Sequence, residues 1–189
     1  DAAVVSWSDT RVVCRVPASA SSHTTQAIHL QTARGSAYAG FAIPWSYLGY
    51  RWPGEPVLVR YYIGAGTADC AGVNVAVRQG AQQWTMVDQA YHAVKFWGRT
   101  SRAAPELDGY NVVCWADMGA TGRLATTCIT YDKALKTILE FDMVFNDTYL
   151  WSTSAVCPAN RYDVRNAATH EFGHVLGLAD LYGDPDSDK

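Results

Sequence analysis

Nowhere in this chain do two cysteines stand as C-x-x-C, so the spacing that builds a structural zinc knuckle or a dithiol redox centre is absent. Lys and Arg never gather into a run and the formal net charge is only −3, which argues against nucleic acid or an acidic membrane as partner. Apolar stretches stop at strand length, so no segment reads as a transmembrane helix. The chain opens at Asp1 without a charged-then-apolar leader, so any export signal is expected to have been removed already. Two further absences bear on chemistry: neither His nor Glu follows His174, and no Met follows Met143.

What remains is globular in composition. With 49% apolar and 17% charged residues over 189 positions, the chain can bury one sizeable core, alone or with an extension, but hardly two. Its five cysteines, Cys14, Cys70, Cys114, Cys128 and Cys157, are widely dispersed and read as disulfide cysteines of an exported protein. Cys114 and Cys128 fall in segments read as neighbouring strands and are the expected pair. Five is odd, which leaves one thiol without an intrachain partner unless the chain continues beyond Lys189.

Residues 1–47 are rich in Ala, Ser and Thr and show no sustained period, so they read as an extension, with room for short strands. From residue 48 the texture changes. RWPGEP is a breaker, and VLVRYYI at 57–63 is a β-branched and aromatic run that predicts a buried strand. Val73, Val77, Gly80, Ala81, Trp84 and Val87 recur at three- and four-residue spacing, which predicts a helix ending near Asp88. Four strand-like segments follow: AVKFWGR, YNVVCWAD, RLATTCITYD and ILEFDMVFN. In the last, Leu139, Phe141, Met143 and Phe145 alternate with Glu140 and Asp142, predicting one face in the core and one in water. Strand, helix, several strands and a final helix make an α+β (α/β-like) domain with a mixed twisted sheet.

That final helix carries AATHEFGHVLGLADLYGD. Positions i and i+4 of a helix stand one above the other, so His170 and His174 can reach one metal ion. Glu171 lies one position around, where its carboxylate can address a water on that metal without becoming a ligand. With no His or Glu after His174, a glutamate ligand from a downstream helix, as in thermolysin, is not expected within this chain. Gly177 can take the left-handed conformation that ends a helix, and Asp180 follows three residues later, where the turn would bring its carboxylate back. The plain alternative is a core helix packed through Phe172, Val175, Leu176 and Leu178. Such a helix has no need of a glutamate between histidines or of a glycine break before an acid, so the metal reading is preferred.

HEFGHVLGLAD resembles the extended zinc signature H-E-x-x-H-x-x-G-x-x-H/D of the metzincin metallopeptidases, and its closing aspartate is similar to the snapalysin type and to bacterial matrixin-like enzymes. LGYRWPGEPVLVRYYI, at 48–63, resembles the segment that opens a matrixin catalytic domain. The likeness covers about residues 48–180. It implies a metzincin upper subdomain with two long helices and the active-site helix near the C-terminus, occupying 48–189. It also implies one catalytic Zn2+ on His170, His174 and Asp180, with Glu171 as general base. The activity implied is that of a secreted endopeptidase, with RLATTCITYD as the edge strand that takes an extended protein or peptide substrate. Metzincins carry a methionine turn downstream of the third ligand, and Met86, Met118 and Met143 all lie upstream. The expectation is therefore a catalytic domain lacking its last segment, completed by a C-terminal continuation or a second chain. The alternative is an inactive or truncated peptidase scaffold that only binds.

Other features are weighed against simpler readings. Asp184, Asp186 and Asp188 alternate like calcium-loop oxygens, yet no closing glycine and glutamate follow, so a solvated turn is preferred to a Ca2+ site. RVVCRVP around Cys14 invites comparison with the thiolate that caps zinc in matrixin pro-segments, and a structural disulfide is preferred. His23, His29 and His92 have no ligand-like neighbours. Asn146 opens the sequon NDT.

Overall fold

The structure, a computed structural model, describes residues 2–8, 12–15, 24–45, 48–54, 57–86 and 92–180. The chain divides into two compact units, Asp1–Gly49 with Leu178–Lys189, and Tyr50–Gly177.

In the first unit, β1 (Ala3–Trp7) pairs antiparallel with β2 (Val12–Arg15), and β3 (Thr24–Thr32) pairs antiparallel with β4 (Gly35–Trp45). The tight link between β3 and β4 is held by Thr32, whose hydroxyl donates to the Gly35 carbonyl and accepts from the Arg34 amide. The short strands allowed for in residues 1–47 are thus two ribbons, one of them long. No alternation announced β1, which is exposed along its whole length and so needs no apolar face.

The second unit contains β5 (Val57–Ile63), α1 (Val73–Thr85), β6 (His92–Arg99), β7 (Val112–Ala116), β8 (Ala125–Asp132), β9 (Thr137–Asn146), β10 (Trp151–Ser152), β11 (Tyr162–Asp163) and α2 (Val164–Val175). Five strands form one mixed sheet in the order β6-β5-β7-β9-β8, in which only β8 runs antiparallel to its neighbour. The unit is α+β, as expected, and its sheet is mixed. Among the described residues no helix is long and apolar enough to cross a membrane. The helix expected to run to Asp88 ends at Thr85, and Val87 and Asp88 lie outside the described residues.

Both helices cover one face of the sheet. Val77 and Ala81 of α1 and Val164, Ala168, Phe172 and Val175 of α2 pack with Tyr61, Val113, Phe141, Met143 and Phe145 in a single core.

The other face of β9 corrects a sequence expectation. Glu140 and Asp142 are buried rather than wet, because they receive the backbone of the segment crossing above them. Asp142 accepts from the amides of Glu106, at 2.8 Å, and Val112, at 3.0 Å, while Glu140 accepts from the amide of Gly109. Leu139, expected in the core, is 58% exposed. The register between β8 and β9 steps from Thr130↔Glu140 to Tyr131↔Ile138, so Leu139 is a bulge residue and Ile138 takes the buried place. Asn146 is fully buried, with its amide donating to the Gly119 and Arg123 carbonyls, and so is no glycan acceptor in the folded protein.

The expected Cys114–Cys128 disulfide is also corrected. β9 lies between their strands, with Cys114 opposite Val144 and Cys128 opposite Asp142. Two strand spacings amount to about 9–10 Å, beyond the roughly 7 Å that a disulfide can bridge. All five cysteines lie among the described residues, and all are free thiols here.

Candidate metal centre

The helix that bears the histidines is started by its own sequence and held by residues far away in it. Asp163 caps α2 in extended conformation, its carboxylate accepting from the Asn166 amide at 2.8 Å. Val164, Ala168, Phe172 and Val175 turn into the core, which leaves the opposite side for His170 and His174. Gly177 has φ of 92° and its amide donates to the His174 carbonyl at 2.8 Å, so it ends the helix in the left-handed conformation expected of it.

Two tryptophans clamp this helix. The Trp84 indole, from α1, donates to the Thr169 carbonyl at 2.7 Å, one residue before His170. The Trp52 indole donates to the Val175 carbonyl at 2.6 Å, one residue after His174. The carbonyl of Val175 belongs to the last helical turn, which has no intrahelical partner, so Trp52 serves as a cap supplied from 123 residues away. Trp84 was legible only as part of an apolar stripe, and Trp52 only as part of a breaker. Neither could be placed on α2 from spacing.

The histidine Nε2 atoms stand 3.2 Å apart, with the rings almost perpendicular at 88°. Two nitrogens roughly 2.0–2.1 Å from one tetrahedral zinc would stand about 3.3–3.4 Å apart, so the observed spacing fits two imidazoles sharing one ion. Glu171 joins them: one ligand atom from each of His170, Glu171 and His174 lies within 4.8 Å of the others. Two imidazoles on one helix face are donors zinc accepts, and the Glu171 carboxylate stands beside them where a metal-bound water would lie. His170 is exposed, His174 is half-buried and Glu171 is buried, so the histidines meet solvent while the carboxylate sits behind them.

Glu171 has a partner that sequence reading missed. Thr127 of β8 donates to Glu171 Oε2 at 2.5 Å, across 44 residues. A signal for it was present, since Thr127 lies between Ala125 and Ile129 on the face of β8 that packs against the core, where a hydroxyl is out of place unless it has a partner. Among the described residues, the side chains grouped within metal-ligand distance are His170, Glu171 and His174; Asp180, the expected third ligand, follows Gly177 in the stretch Leu178–Lys189 assigned to the first unit. Asp184, Asp186 and Asp188 lie outside the described residues, as does His23. His29 is in β3 and His92 begins β6.

Compared with known proteins, the chain matches no protein-family model and no curated protein.

Proposed function

We propose that this chain is a secreted zinc-dependent endopeptidase of metzincin type. The observation that carries the reading is the 3.2 Å approach of the two histidine Nε2 atoms with the Glu171 carboxylate beside them. His170 and His174 would hold the zinc, with Asp180 as third protein ligand. The ion, when bound, supplies Lewis-acid polarisation of the scissile carbonyl and eases loss of a proton from water. Glu171 accepts that proton as general base and returns it to the leaving amine as general acid. Its burial excludes bulk water from the carboxylate, so the proton it takes is kept for the leaving group.

The support from the fold is positional. Among the described residues β8 is the last strand of the sheet and lies beside α2, so an extended peptide adding to its outer edge would present a carbonyl near the histidines. The resemblance assigns the edge-strand role to this same segment. Export is part of the reading through the metzincin resemblance alone, since the five cysteines that suggested it are free thiols in the structure.

Metal analysis together with hydrolysis of a fluorogenic peptide tests the proposal on the complete protein, including any continuation beyond Lys189. The expected result is one zinc per chain, activity lost on chelation and restored by zinc, and weakened zinc retention in Asp180→Asn. Zinc without hydrolysis would favour the alternative of a peptidase scaffold that only binds. No zinc, together with hydrolysis indifferent to chelation, would overturn the metal site itself.

A further inference from the structure

We propose that Thr127 positions the general base, and that the strand offered to substrate therefore also sets the aim of Glu171. The inference rests on the peptidase reading above and deepens it.

A glutamate on a helix has three rotatable side-chain bonds, and nothing in H-E-x-x-H fixes where its carboxylate points. Here the carboxylate is buried, which makes the choice of partner decisive, since an unpartnered buried carboxylate is costly. Among the described residues, the hydroxyl of Thr127 is the side-chain donor recorded for Glu171, at 2.5 Å from Oε2. The same hydroxyl oxygen lies 3.4 Å from the Glu171 main-chain carbonyl. Its single proton goes to the closer and charged acceptor, where an O–H···O⁻ bond of this length is among the stronger kinds.

One carboxylate oxygen is thus engaged by β8, and the other is left for the reacting water. The Thr127 side chain cannot readily leave. It is β-branched and stiff at χ1, it sits between Ala125 and Ile129, and its backbone is paired opposite Met143, which is fully buried in the core. Thr127 touches neither metal nor substrate in this scheme. It acts through Glu171 and is a positioning residue.

The consequence is a mechanical link. An extended peptide adding to the edge of β8 would bind the strand that holds the base, so docking and base alignment share one element. A hydroxyl supplied by any other element would lack that property.

The test uses Thr127→Val, which keeps the branched shape without the hydroxyl, and Thr127→Ser, which keeps the hydroxyl. In the complete, zinc-loaded protein, Thr127→Val should retain its zinc and its KM within about twofold while kcat falls about 10- to 100-fold, the usual effect of losing an orienting partner. Thr127→Ser should recover most of that loss. A second readout does not depend on activity. In a thermal-unfolding cycle on zinc-free protein, the double variant Thr127→Val with Glu171→Ala should lose roughly 2–4 °C less than the sum of the two single variants, because the bond can be lost only once. Unchanged kcat in Thr127→Val, or additive melting temperatures, would overturn the inference. Equal kcat losses in Thr127→Val and Thr127→Ser would overturn it too. Glu171→Gln, assayed alongside, separates the two levels: if it stays fully active, the peptidase reading fails, whereas if it is inactive and Thr127→Val is not, only the role of Thr127 fails.

Discussion

Gly80 of α1 lies so close to Ala168 of α2 that a methyl group at position 80 would stand 2.7 Å from the Ala168 Cβ, 2.9 Å from the Thr169 amide nitrogen and 3.0 Å from the Arg165 carbonyl oxygen. Two of those three neighbours are backbone and cannot turn aside. Gly80→Ala must therefore move α2, the helix that carries the histidines. Helix propensity alone would favour alanine by roughly 1 kcal/mol, but overpacking of this kind costs about 1–3 kcal/mol, so the net effect should be destabilising. Urea unfolding should show a lower midpoint with an unchanged slope. A raised midpoint would mean that the helices separate without cost.

The contrast with the sequence is instructive at this contact. Gly80 was legible as one member of an apolar stripe; α1 was legible from that three- and four-residue spacing, and β5 as a β-branched and aromatic run between Pro56 and Gly64. The same period-2 reading failed on β9, since it took Glu140 and Asp142 for solvent-facing residues. Those carboxylates are buried for the sake of backbone amides some 30 positions away, and a local window carries no trace of them. The pairing of Cys114 with Cys128 failed for a related reason. Chain order made their strands neighbours, whereas β9 inserts between them. At the candidate site the two histidines and Glu171 were legible because one helix turn brings them together. Thr127, Trp52 and Trp84 were not, because each reaches α2 from another element.

Asp142 should make stability depend on pH in a direction opposite to that of most carboxylates. Burial raises its carboxyl above the ordinary range, the amides of Glu106 and Val112 pull it back, and the charges of Glu140 and Asp108 raise it further. In the unfolded chain the group titrates at about 3.9. A carboxyl raised on folding binds its proton more tightly in the native state, so its favourable contribution is full below the unfolded value and is lost as pH rises through the folded one. Compared with Asp142→Asn, the parent should therefore gain stability as pH falls from 7 toward 4. The check is the difference between the two urea midpoints at several pH values. A difference that is flat, or that moves the other way, would show that the amide hydrogen bonds outweigh burial.

The thiols give a chemical check on the strand order. Cys114 is buried under the segment that covers the outer face of the sheet, and burial, with the Asp142 charge behind it, pushes its thiol up. Cys14 is exposed on β2. Under native conditions iodoacetamide should modify Cys14 well before Cys114, which should react only as the second unit unfolds. Peptide mapping without reductant should recover no Cys114–Cys128 cross-link. Such a cross-link would require β9 to leave its place between β7 and β8, and the sheet order would then be wrong.

Glu171→Gln isolates the step on which the proposed chemistry depends. The amide has the size of the carboxylate and can still accept the Thr127 hydroxyl bond through its carbonyl oxygen, so the fold around the site should be kept. It cannot take a proton from water. His170 and His174 are untouched, so zinc retention should be unchanged, and any difference in rate then reports the base and not the metal. Peptide hydrolysis should fall about 10²- to 10⁴-fold, the usual contribution of a positioned general base, with the loss in kcat rather than in KM. The assay belongs on the complete protein with zinc quantified in the same preparation, because loss of metal and loss of the base would otherwise give the same rate. If the variant holds its zinc and cleaves as fast as the parent, Glu171 is not the base, and the paired histidines hold their ion for structure and not for catalysis.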